Sequence, residues 1–334
     1  MDNYFQNKKK VDGKPQMTTI MGSGLIILVS ALSAIAFPFT TYATTLFTFG
    51  IAHIAIELRY IDSRFYQNLN KTIEWRLLQL VLSIALLRCC AIFGLISIQL
   101  APLLELFAGL GLILVATHHV YRQNWQLGIL GLAVSCLCGI GIIKDPIATL
   151  VILALVHNLT PVAFILERQR TKLLRTLLIC GLVFGGIPIG IISLKSLGII
   201  NFPLETNTHY LNAFVAPSWQ HLSIAYPLFS AATFLQCMHY AAVIGLFSRW
   251  TKEDAETFLF WLPSKKFYWL LAGISVYFLV AFQHSFALTR AFYGIAAAIH
   301  AWLEIPLLLL LPLPIIKQKS AGVHLSLANV SKKS

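Results

Sequence analysis

The chain has 334 residues, 57% of them hydrophobic and only 11% charged, with a mean hydropathy of +0.76. No soluble domain shields that much apolar surface from water, so composition excludes a soluble globular enzyme and predicts an all-α, multi-pass integral protein of the cell or inner membrane. The net charge of +12 would suit nucleic acid in a soluble chain, but here the basic residues sit between apolar runs, which excludes that partner and assigns them to membrane lipids.

Residues 1–16 form a polar N-terminal tail with Lys8, Lys9, Lys10 and Lys14. A hydrocarbon core ~30 Å thick takes roughly 20 residues of helix. On that measure the apolar runs predict ten spans, at about 17–37, 40–58, 77–97, 100–120, 126–143, 146–166, 174–197, 223–247, 268–288 and 291–315. They make up a single transmembrane helical domain over 17–316, followed by a basic tail at 317–334. The first span follows a basic head without a small-residue cleavage site, so it is expected to stay as an anchor. "CGLVFGGIPIG" (180–190) predicts a broken helix, and the long joint 201–222 predicts an interfacial lid or re-entrant loop.

Charge placement tests the count. With the N-terminus inside, only Lys144, Lys195 and Arg290 of the 25 basic residues fall on outer joints, and Arg88 lies within a span. An even number of spans with both termini cytoplasmic satisfies this rule. Arg88, in the third span, is expected to pair with Glu105 in the fourth.

The six cysteines all lie inside spans, where they act as small hydrophobes; Cys136 and Cys138, two apart on a helix, point in different directions. The histidines are distributed less evenly. Every descending span carries at least one: His53 in the second, His118 and His119 ending the fourth, His157 in the sixth, His239 in the eighth and His300 in the tenth. Of the ascending spans only the ninth has one, His284. Ionisable groups in a membrane helix cost ~2.5 kcal/mol or more when charged and tend to mark function. Counting ~1.5 Å per residue from each inner basic flank puts His53 ~8 Å deep, His157 and His239 ~14 Å deep, and His300 deeper unless Pro306 and Pro312 shorten its helix.

Two acids accompany these histidines. Glu57 follows His53, and Glu304 follows His300 in "IHAWLEIP", each at i+4 and so on one helix face. A ligating imidazole commonly gives its other N–H to a carboxylate. This predicts a metal site in the cytoplasmic half with His53, His157, His239 and His300 as ligands, Glu57 and Glu304 orienting or joining them, and His118 or His119 capping it from below. Imidazole with carboxylate suits non-haem iron first, then zinc, copper or manganese. Haem between two histidines, in an electron carrier, is the main alternative, and a proton-coupled transporter using the His/Glu residues is another. Histidine boxes of the His-x-x-His-His type and His-Glu-x-x-His are absent.

The segment Gly50-Ile51-Ala52-His53-Ile54-Ala55-Ile56-Glu57 resembles the Gly-x-Pro-His-Gly-Ala-x-Asp segment of the membrane beta-carotene-cleaving dioxygenases associated with microbial rhodopsins. It keeps the glycine, the histidine, the alanine and an acid four residues after the histidine, with Ala52 and Ile54 replacing proline and glycine. The resemblance implies a helical polytopic fold with histidines gathered around iron and cleavage of a carotenoid. That family also carries two histidines four apart on one helix, where this chain has His157 and Pro161. Residues and resemblance together predict a membrane non-haem iron oxygenase acting on a lipophilic isoprenoid, carotenoid or acyl substrate, served by an electron-donor protein.

Overall fold

Helix punctuation in the sequence determines where the elements begin and end. The computed structural model describes residues 17–65, 71–200, 208–253 and 262–311, and both tails expected from the sequence lie outside the described residues. Helix α1 (Met17–Ala36) stops at Phe37, the residue before a proline, and Pro38 opens α2 (Pro38–Phe65). Helix α3 (Lys71–Ile92) ends on Gly94, whose φ of 71° lets Leu95 N–H reach back to the Cys90 carbonyl at 2.8 Å. Asn124 caps α5 (Trp125–Lys144) by accepting from Gln126 and Leu127 N–H, so α4 (Leu100–Tyr121) and α5 are separate helices.

Asp145 and Pro146 start α6 (Pro146–His157), which is followed after two residues by α7 (Thr160–Arg168). Helices α8 (Leu173–Gly181) and α9 (Ile187–Ser196) are joined by a π-helical turn, Leu182–Gly186. The proline at 188 has no N–H to give, and the widened turn absorbs that loss without ending the span. The expected break at 180–190 is therefore a bulge within one continuous helical run. Helix α10 (Ala225–Ala242) continues through a second π turn, Val243–Phe247, into α11 (Ser248–Glu253); α12 (Ser264–His284) and α13 (Phe286–Leu310) follow.

Among the described residues there is no strand, and nine helical runs are long and apolar enough to cross a membrane: Pro38–Arg64, Lys71–Ile92, Leu100–Tyr121, Trp125–Lys144, Pro146–Arg168, Arg170–Ser196, Ala225–Thr251, Ser264–His284 and Phe286–Leu310. The first expected span is present as a shorter apolar helix over its described side chains, Met21–Ala36. Pro306 does not end α13, which runs on to Leu310.

Burial identifies the centre of the bundle. The apolar window of Ala225–Thr251 is 72% buried, against 17–44% for the other eight runs, so α10 is the axial helix. Helices α1, α2 and α9 pack around it; α13 lies against α2, α3 and α4, and α12 against α2. The outward faces carry large exposed hydrophobics such as Leu28, Leu86, Ile129, Leu137, Leu174 and Trp269. Of the long outer joint, residues 208–219 form short 3₁₀ turns that push Phe214, Val215 and Ala216 into the bundle, with Phe214 stacked edge-on against Tyr42.

Candidate metal centre

Four helical runs meet at the level of His53. Helix α2 supplies His53 and Glu57, α10 supplies His239, α13 supplies His300 and Glu304, and the break between α6 and α7 supplies His157. That break has a local cause: Pro161 has no N–H for the His157 carbonyl one turn earlier, and the Thr160 hydroxyl donates to it instead, at 2.8 Å. His157 thus ends its helix with its ring turned inward and 11% of its side chain exposed.

The four imidazoles close a ring. Centroids lie 5.2 Å apart between His53 and His239, 4.7 Å between His239 and His157, 4.6 Å between His157 and His300, and 5.1 Å between His300 and His53. His53, His239, His300, Glu57 and Glu304 are buried, and the Tyr240 ring stacks on His53 at 4.1 Å. Each of His53, Glu57, His157, His239 and His300 offers one ligand atom, and those five atoms all lie within 4.8 Å of one another. Ligands ~2.1 Å from a first-row metal stand ~3.0 Å apart at right angles and ~4.2 Å apart across the ion. Closing this set around one ion takes shifts of well under an ångström at most of its members.

Hydrogen bonds orient the rings. The Nδ1 atoms of His53 and His300 face the carbonyls of Phe49 and Ala296, one turn back on their own helices, at 3.4 and 3.3 Å. His157 Nδ1 faces Glu304 Oε2 at 2.7 Å. Carbonyl and carboxylate oxygens accept, so Nδ1 carries the proton in all three rings and Nε2 keeps its lone pair. His157 Nε2 and His300 Nε2 then stand 3.0 Å apart, an approach that is repulsive unless a cation or a proton lies between them. Glu57 Oε2 adds to this demand, 3.3 Å from His239 Nε2. Glu57 and Glu304 are each 0% exposed, and both Glu57 oxygens and Glu304 Oε1 are buried without a hydrogen-bond donor. Glu57 and Glu304 also lie against each other, so an apolar interior holds both only with a proton shared between them or with a cation at the cluster.

The glutamates serve partners other than those their spacing suggests. Glu57 and Glu304 lie one turn from His53 and His300, yet Glu57 faces His239 and Glu304 faces His157, tying α2 to α10 and α13 to the α6–α7 break. Glu304 oxygens are not in the converging set; Glu304 Oε2 faces His157 Nδ1 from behind that ring. His118 is exposed and His119 is bonded to Gln123 at 2.7 Å, so neither caps the cluster; His284 is exposed at the other end of the bundle.

No known family model, curated protein or solved structure matches the chain. The chemistry of the centre is therefore read from its own geometry.

A cavity of about 830 Å³ is lined by His53, His157 and His300 at the cluster and by Arg88, Glu105 and Arg290 away from it. The expected Arg88–Glu105 pair is present and bidentate, at 2.9 and 2.8 Å, and Arg88 also donates to the Gly294 carbonyl. Trp302 N–H donates to Glu105 at 2.9 Å, and its ring occupies the space beside Gly109, where a Cβ would come within 2.2 Å of it. This network braces α13 two residues from His300. Trp302 and Thr160 had not stood out in the sequence, and Arg290 only as an exception to the charge rule; a tryptophan two residues after a span histidine and a Thr-Pro three residues after another were the available signals.

Proposed function

We propose that the protein is a multi-pass membrane metalloprotein, ten spans with both termini cytoplasmic, in which His53, His157, His239, His300 and Glu57 hold non-haem iron for the oxidation of a lipophilic isoprenoid, carotenoid or acyl substrate. The observation that carries this reading is the convergence of five donor atoms within 4.8 Å, three of them on imidazoles whose Nδ1 faces an acceptor oxygen. Imidazole with carboxylate is a donor set suited to iron, which when bound would supply the activation of O2.

The chain's own residues do the rest. Glu304 and the two backbone carbonyls hold the imidazoles in register. The mostly apolar cavity wall, with Leu46, Leu150, Leu153, Ala297 and Ile305, takes a lipophilic chain and excludes water. The local likeness of residues 50–57 to the carotenoid-cleaving dioxygenases supports the same chemistry, since its histidine is a member of the cluster. Haem fits less well: neighbouring rings 4.6–5.2 Å apart in a closed circuit leave no slot for a macrocycle between axial ligands. An electron-donor protein at the cytoplasmic face completes the proposal.

The test is metal analysis with a visible spectrum on protein purified in detergent without chelators. About one iron per chain and no Soret band is expected. A Soret band, or protein that binds no transition metal on reconstitution, would overturn the reading.

A further inference from the structure

The cavity wall holds two cations with different standing. Arg88 is neutralised by its bidentate bond to Glu105, and its remaining Nη1 donates to the Gly294 carbonyl. Arg290 has no carboxylate partner among the described residues; its guanidinium lies near the Tyr42 hydroxyl, a neutral group that leaves the charge uncompensated. Arg290 is half-buried on a largely apolar cavity wall and keeps an unneutralised charge, which an anionic group from outside the chain would meet.

The position of Arg290 fits an amphiphile. It lies in the second turn of α13, at the end of the bundle where the cavity lining includes the exposed Ile98 and Ala287. From there the cavity runs past Tyr42, Leu46 and Ala297 to His53 and His300. Arg290 and His300 are ten residues apart on α13, ~15 Å of helix rise, a distance that an extended long acyl chain spans. Polar anchoring at one end and an apolar channel to the histidines select a head-and-tail molecule over a hydrocarbon without a head.

We propose that the cavity binds a long-chain carboxylic acid, its carboxylate held by Arg290 beside Tyr42 and its chain extended to the histidine cluster. This inference rests on the metal-centre reading for what happens at the chain's far end, but binding of the head is independent of it. A guanidinium–carboxylate contact is a charge-assisted, potentially bidentate hydrogen bond that an alcohol cannot reproduce.

The experiment compares binding of tritiated palmitate and tritiated palmityl alcohol to detergent-purified wild-type protein and to Arg290→Gln, Arg290→Lys and His157→Ala, with bound metal measured on each. Wild type should prefer palmitate by about tenfold, Arg290→Gln should bring the two ligands to equality at unchanged metal content, and Arg290→Lys should keep most of the preference. Equal binding by wild type, as when Arg290 merely holds a lipid phosphate, would overturn the proposal. So would a preference that survives Arg290→Gln, or one lost as fully in Arg290→Lys. His157→Ala should lose metal while keeping the palmitate preference, which separates failure of this inference from failure of the metal-centre reading.

Discussion

Replacing Glu304 with glutamine isolates the acid behind His157. Glutamine keeps the size of the side chain and leaves an oxygen able to accept the Nδ1 proton, but removes the charge that makes the ligand more basic. The bond is short, 2.7 Å, and Glu304 is fully buried, so solvent screening is minimal. Loss of a carboxylate partner behind a metal-ligating histidine typically costs 10- to 100-fold in metal affinity, or ~1.4–2.7 kcal/mol. The upper half of that range is expected here, because the charge removed is fully buried and unscreened by water. The assay is competition between the protein and a chelator of known affinity for cobalt(II), followed by the visible d–d bands. Glu304→Gln should weaken binding by tens of fold, with the coordination spectrum nearly retained. A change smaller than twofold would refute the assignment of Glu304 as the orienting acid of a ligand.

Three further outcomes follow from the geometry. Thr160→Val removes the hydroxyl that satisfies the His157 carbonyl and should destabilise the fold by ~1 kcal/mol and weaken cobalt binding severalfold, whereas Thr160→Ser should retain both. Arg88→Met leaves Glu105, 6% exposed, with only the Trp302 N–H; a loss of ~3 kcal/mol in detergent unfolding is expected, at the low end for buried pairs because Arg88 is 34% exposed, and Arg88→Met with Glu105→Gln should recover part of it. Asp145 lies in the joint between α5 and α6, where the Ala148 N–H first and the Ser218 hydroxyl second hold its carboxyl below the usual carboxylate range. A lowered pKa stabilises the folded form above the ordinary value, and that contribution disappears as pH falls through the lowered one. Hydrogen-exchange protection at 208–222 should therefore fall in acid, and Asp145→Asn should flatten the profile.

How far the sequence reaches depends on whether a feature belongs to one helix or to several. Spans were legible because apolar length is a property of a single run, and Asn124, Asp145 and Gly94 mark ends by local chemistry. The parity of the histidines singled out His53, His157, His239 and His300, and the Arg88–Glu105 pair followed from opposite charges on consecutive spans. The pairing of Glu57 with His239 and Glu304 with His157 was not legible, because i, i+4 spacing reports a shared face and says nothing of how a neighbouring helix is rotated against it. Counting from the basic flanks puts His53 and His300 at different levels, whereas their rings are 5.1 Å apart; a count along one helix carries no information on how its neighbour is placed against it. Pro161 looked like the loss of a ligand; in the structure it ends α6 and so sets the place from which His157 reaches the centre.

The most direct test of the central claim is a diffraction experiment on metal-loaded protein at the absorption edge of the bound metal. One anomalous peak bounded by the Nε2 atoms of His53, His157 and His300, with His239 and a Glu57 oxygen completing its surroundings, is predicted. No peak there, or a peak only at His118 and His119, would contradict the account.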